Sequence, residues 1–159
     1  MEKSTYLTFF LGNELFAVNV QNVLEVLEQQ QITRVPQAPV HIQGIINFRG
    51  EILPVVNTHC KFNLPDTHEL SKRYIIVFDL EKNDARICVS ATVDGVKDVI
   101  EITEDEINPV PEMGLQFDAN YIDGVIRKHE QFILLVNPLK VFSVSDATVL
   151  QSQPENLMQ

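Results

Sequence analysis

The sequence predicts a mainly β chain organised as a pair of small barrels. Three observations carry this: short apolar runs with strand character dominate, a weak internal repeat presents them twice in the same order, and the strands of each half are too short for an open sheet covered by helices. At 159 residues and 45% hydrophobic content, the chain suits one compact unit or two small ones sharing a core.

Tyr6 to Leu11 and Leu15 to Val20 flank Gly12-Asn13-Glu14, which reads as a hairpin. Val20, Val23, Leu24 and Leu27 then fall at i, i+3, i+4 and i+7, so VQNVLEVLEQ predicts a short helix with one apolar face. Pro36 and Pro39 force extended chain in VPQAP. Two strands follow at Ile42 to Phe48 and Ile52 to Asn57. A second set lies at Tyr74 to Leu80, Arg86 to Val93, Val96 to Ile102, Tyr121 to Lys128 and Phe132 to Asn137. A turn or two of helix is expected around Pro138 to Phe142, and VLQSQPENLMQ is polar enough to fray.

The repeat has three blocks. Val20-x-x-Val23-x-x-Val26 returns as Val93-x-x-Val96-x-x-Val99, and ITRVP at 32 to 36 returns as INPVP at 107 to 111. IQGIINFRGEILPVVN at 42 to 57 aligns without gaps on IDGVIRKHEQFILLVN at 122 to 137. Any single block is within reach of chance, because strands draw on few residue types. The conserved order favours two halves of similar build.

Arg49-Gly50 joins the two strands of the third block. Gly50 can take the positive φ that a tight turn demands. Arg49 then stands at the tip, as a solvated turn residue or as a planar fork of donors for a partner's carboxylate or carbonyl. The second half has His129-Glu130 at this place, so folding does not require the arginine.

Six pieces of the chain resemble the CheW family of chemotaxis coupling proteins. They are Phe10-Leu11-Gly12, the Val23 to Val26 segment with Glu25, ITRVP with Ala38-Pro39, Gly44-x-x-Asn47-x-Arg49-Gly50, Leu53-Pro54-Val55-Val56 and Val93-Asp94-Gly95-Val96. Each is weak alone, and their order and spacing from about Tyr6 to Leu139 are specific. Asn57-Thr58 departs from the family's common Asp-Leu, and Phe48 from a more usual Leu.

The resemblance implies two interlocked five-stranded SH3-like β-barrels with one or two short helices. The CheW-like domain would span 1 to 145, its halves roughly 15 to 75 and 86 to 140 with exchanged terminal strands, ahead of a flexible tail at 146 to 159. It implies a non-enzymatic adaptor joining the cytoplasmic hairpin tips of chemoreceptors to the regulatory domain of the histidine kinase CheA. Carried over residue by residue, Val23, Val26, Arg49, Val93 and Val96 would surround a receptor groove with Glu25 at its edge. For the valines, ordinary core packing is the competing reading. Kinase contacts would fall at Ile45 and at Lys61, Phe62 and Leu64, while Gly44 and Gly50 would be structural turn residues. A coupling protein of a non-flagellar pathway, in pilus motility or surface-growth signalling, is the alternative.

Other function classes find little support. Lys and Arg total 12 against 22 Asp and Glu, a net charge of -10, which opposes binding to nucleic acid. No window approaches the ~20 apolar residues of a membrane span, and the start lacks a small-residue cleavage site, so a cytoplasmic protein without membrane insertion is expected. Cys60 and Cys88 read as reduced thiols. His59, Cys60 and His68 lack a fourth metal ligand with sensible spacing, and strand geometry would point His59 and Cys60 apart. Asp98, Glu101, Glu104, Asp105 and Glu106 read as a solvated acidic face because they lack the alternating pattern of a calcium loop. No nucleophile, metalloprotease or phosphate-loop motif occurs, so no catalytic residue, metal or cofactor is expected.

Overall fold

Among the described residues, ten strands and two single-turn helices make up most of the structure. A computed structural model describes residues 2–28, 30–64, 73–110, 119–143 and 146. Strands β1 (Lys3–Leu11), β2 (Glu14–Asn19), β3 (Val23–Leu27), β4 (Ile42–Phe48) and β5 (Glu51–Val56) lead to helix α1 (Thr58–Lys61). Then come β6 (Tyr74–Lys82), β7 (Ala85–Val93), β8 (Gly95–Thr103), β9 (Ile122–Lys128), β10 (Gln131–Val136) and helix α2 (Pro138–Val141). The mainly β expectation is borne out.

The strands form two five-stranded sheets, ordered β8-β1-β2-β10-β9 and β3-β6-β7-β5-β4. Each hydrogen-bonded order runs between two edge strands without closing, so the barrels are open ones. The two orders correspond strand for strand: a hairpin (β1–β2 or β6–β7) lies between an edge strand and a second hairpin, met through a parallel pair, β2 with β10 or β7 with β5. The central sheet, β3 to β7, is continuous in sequence, and the terminal sheet brings β1 and β2 to β8, β9 and β10. Against halves expected at roughly 15 to 75 and 86 to 140 with exchanged terminal strands, β2 lies in the terminal sheet and β7 in the central one.

Interlocking leaves the middle strands apolar on both faces, and the two-residue period of a strand sorts their side chains. On β2, Leu15 and Ala17 pack with Ile102, Ile126, Ile133 and Leu135 inside the terminal sheet. Phe16 and Val18 point the other way, into a core shared with Ile76, Phe78, Leu80 and Val89 of the central sheet. Strand β6 does the same in mirror fashion, giving Ile75 and Val77 to an inner cluster with Ile46, Phe48, Leu53 and Val55. Each such large apolar side chain contributes about 1.5–3 kcal/mol on burial.

The repeat is visible as geometry. Thr33 bridges Ile45 of β4 by two backbone hydrogen bonds of 3.0 and 2.8 Å, and Asn108 bridges Val125 of β9 in the same way at 2.9 and 2.8 Å. These crossings explain the matched glycines. A Cβ on Gly44 would run into Thr33 O and lie 2.8 Å from Ile32 Cγ2, and one on Gly124 would press on Ile107 and Asn108. Gly44 thus lies within β4 at a close approach, not in a turn as expected. Asn57 and Asn137 each accept a backbone N–H at the head of a short helix, from Cys60 and Leu139. Phe62 and Phe142, one residue past each helix, are both buried.

Two further expectations are corrected. The segment read as a helix, VQNVLEVLEQ, is a 3-10 turn at Val20–Asn22, capped by the Asn19 side chain, followed by strand β3. Its spacing also fits a strand that half-buries Val23, Glu25 and Leu27 on one face, and pairing with β6 satisfies its backbone. The expected tail is fixed at its first residue, since Asp146 is buried, and 147–159 lie outside the described residues.

Gly44→Ala is expected to cost roughly 2–3 kcal/mol in urea denaturation, because the added methyl overpacks a backbone crossing. Gly95→Ala, whose Cβ would sit 3.6 Å from Phe10 Cδ2, is the near-neutral control.

Candidate functional site

Phe48 pairs with Glu51, so β4 and β5 are joined by the two-residue turn Arg49-Gly50. Both turn residues have positive φ, 52° and 84°, the mirror-image turn that suits the twist of adjoining strands. His129 and Glu130 hold the same conformation at 51° and 64° in the second half. The turn shape therefore does not depend on glycine, although Gly50 adopts it without steric cost. Asn47 Oδ1 accepts the Gly50 N–H at 3.0 Å and steadies the loop.

The Arg49 guanidinium stands 4.8 Å above the Phe48 ring and donates to Glu25 Oε2 at 3.2 Å. Glu25 lies on β3 and Arg49 at the end of β4, the two edge strands of the central sheet, so the pair spans the gap between its edges. With the Arg49 side chain 64% exposed, this ion pair contributes little to stability, about 0–1 kcal/mol.

The four valines separate into distinct environments. Val23 and Val96 are half-buried and pack against the shared core from the starts of β3 and β8. Val93 lies inside that core at 1% exposure, which corrects its expected place lining a groove: ordinary core packing accounts for it. Val26 is exposed on β3.

The residues expected on the kinase side also divide. Phe62 is 1% exposed, with its ring centroid 5.7 Å from Phe16 and 5.5 Å from Tyr121. It is a core residue, which corrects its expected place at the surface. The strand edge at Ile45 is not open either, because Thr33 occupies its backbone donor and acceptor. Lys61 and Leu64 are half-buried, and the Lys61 ammonium donates to Asp146 Oδ2 at 3.1 Å.

His59 and Cys60 sit on α1 and not on a strand. His59 is buried, its Nε2 2.7 Å from Asp94 Oδ2, while Cys60 is exposed. Both cysteines are free thiols. The acidic run after β8 is dispersed among local partners. Glu106 accepts the Thr103 N–H and pairs with Lys128 at 3.0 Å. That backbone hydrogen bond, with the Lys128 and Thr103 side chains, lowers its pKa to about 2. Among the described residues no three His, Cys, Asp or Glu side chains converge as metal ligands, and no helix is long and apolar enough to cross a membrane.

A family model described as CheW-like domain matches residues 5–146. The chain belongs to the CheW family. It is 29% identical over 146 residues to the chemotaxis protein CheW of Treponema pallidum, covering 89% of this chain and 84% of that protein. It is likewise 29% identical over 147 residues to CheW of Klebsiella aerogenes, covering 92% and 86%. The crystal structure of the scaffolding protein TtCheW from Thermoanaerobacter tengcongensis superposes with a TM-score of 0.77 at 27% identity, covering 92% of both chains. CheW proteins are scaffolding adaptors, and this one is not an enzyme.

Sequence reasoning missed the polar contacts that tie the CheW domain's two sheets together. His41 Nε2 lies 2.6 Å from Asp146 Oδ1, and Asp146 Oδ2 also accepts the Ser143 N–H at 3.0 Å. These residues recur in no motif, so only the fold reveals them. The signal that was present is the match of Asn57 with Asn137, each followed by a helical turn.

Burial alone would raise the Asp146 pKa, but the Ser143 N–H, His41 and Lys61 together hold it below the ordinary carboxylate value. A carboxyl whose pKa is depressed on folding contributes stability above its unfolded value, and this is lost as pH falls through the folded value. Stability measured by urea denaturation is expected to fall on acidification below the ordinary aspartate range. Asp146→Asn should cost about 1–3 kcal/mol near neutrality and flatten that acid dependence.

Proposed function

We propose that this CheW protein couples the cytoplasmic hairpin tips of chemoreceptors to the regulatory domain of a CheA-type histidine kinase. The observation that carries the reading is the family match across residues 5–146, nearly the whole chain. The receptor surface comprises Val23 and Val96, with Val93 beneath and the Glu25–Arg49 pair on the central sheet, while Val26 takes part from the other face of β3. A receptor helix laid on half-buried valines gains ~25 cal/mol per Å² of apolar area and loses much of that to rigid-body entropy. Each single contact is therefore weak to moderate, and strength comes from arrays in which neighbouring contacts raise the effective concentration.

On the kinase side the reading uses Ile45 through its side chain, together with Lys61 and Leu64, while Phe62 fixes the end of α1. The adaptor works in the cytoplasm and is recruited to membrane-associated receptor arrays. It changes kinase activity only as far as its contacts differ between arrangements of the assembly.

Titration calorimetry with a receptor hairpin fragment and a kinase regulatory domain tests this. Arg49→Ala is expected to weaken receptor or ternary binding about tenfold, with stability changed by less than about 1 kcal/mol. Unchanged affinity, or a large loss of stability with binding intact in the folded fraction, would remove Arg49 from the surface. Failure of the wild-type chain to bind either partner would overturn the coupling function.

A further inference from the structure

Asp94 is the single residue between β7 of the central sheet and β8 of the terminal sheet. Its backbone N–H donates to Phe10 O of β1 at 2.9 Å. Its carboxylate gathers donors from both sheets. Oδ2 accepts the Gly12 N–H of the β1–β2 turn at 2.5 Å and meets His59 Nε2 at 2.7 Å, and Oδ1 lies 3.4 Å from Arg73 Nε at the entry to β6. His59 is 1% exposed, and among the described residues its Nδ1 has no hydrogen-bond partner. Among the described residues, Asp94 is therefore the ring's one polar anchor.

The apolar core holds the two sheets together without directional preference. Hydrogen bonds to a charged group are directional and strong. A carboxylate bonded at once to the terminal sheet's turn and to the helix closing the central sheet's β5 is suited to fix how one sheet is set against the other. Its position is equally telling. Asp94 is two residues from Val96 on the proposed receptor surface, and His59 is two residues from Lys61 on the proposed kinase side.

We propose that His59 is a positioning residue which, through Asp94, sets the two sheets against each other and transmits occupancy of the Val23–Val96 surface to α1. The transmission half rests on the coupling function above, and the positioning half stands on the chain alone. Binding at one face then changes affinity at the other by a factor that is reciprocal between the two partners.

Two measurements on the full chain test it. Spin labels at Asp84→Cys and Glu130→Cys, in a Cys60→Ser, Cys88→Ser background, report the distance between the exposed β6–β7 and β9–β10 turns of the two sheets. His59→Leu is expected to shift or broaden that distance distribution, and His59→Gln, which retains an amide donor at the Nε2 position, to restore it. An unchanged distribution in folded His59→Leu overturns the positioning. Should His59→Leu not fold, Asp94→Asn is read by the same criterion.

Titration of receptor fragment with and without kinase regulatory domain gives the coupling factor, expected at about fivefold or more in the wild type. It should fall to about one in His59→Leu, with each binary affinity changed less than about twofold, and return in His59→Gln. Coupling retained in His59→Leu overturns the transmission while leaving the adaptor function standing. Absence of wild-type binding to both partners overturns that function, and the transmission with it, with the spin-label result still deciding the positioning.

Discussion

Phe16 and Val18 of β2 face Ile76, Phe78 and Leu80 of β6 across the seam between the sheets, and the rest of the structure depends on this shared core. Two five-stranded sheets of short strands each enclose only a small cluster of their own. Small cores are marginal alone. By sending alternate side chains into a common cluster, β2 and β6 bury both faces, and Phe62 and Phe142, one residue past the two short helices, join it. The open edges of the sheets can then be committed to other contacts. Thr33 and Asn108 cover β4 and β9, while Glu25 and Arg49 meet across the central sheet's gap.

Function follows from this division of labour. Because the shared core supplies cohesion, Arg49 is left exposed, paired with Glu25 and set over the Phe48 ring, at a turn whose backbone the second half reproduces with His129 and Glu130. A residue that the fold does not need is one that partner binding can use. Val23 and Val96 sit where the core reaches the surface at the starts of two edge strands. Val93 and Phe62 show the opposite case, side chains in functional-looking positions that packing has claimed.

Much of this was legible in the sequence. Nearly all strands, the repeat and the special character of Arg49-Gly50 follow from period-two runs, matched blocks and turn chemistry. The misreadings have physical causes. Val20, Val23, Leu24 and Leu27 satisfy a helical spacing, yet their segment pairs with β6, so tertiary contacts override the local period. Gly44 looks like a turn glycine because nothing local reveals that Thr33 crosses it. α1 is only four residues long and was signalled by Asn57 alone. Contacts such as His41 with Asp146, 105 residues apart, carry no local signature.

The central claim is that the sheets share one core and hence one cooperative transition. Native-state hydrogen exchange of the β2 and β6 amides, Phe16 and Val18 against Ile76 and Phe78, tests it most directly. The predicted result is a common opening free energy equal to the global stability of the chain. Opening of one sheet's amides several kcal/mol more easily than the other's would mean that each sheet folds on its own core, and would contradict the account.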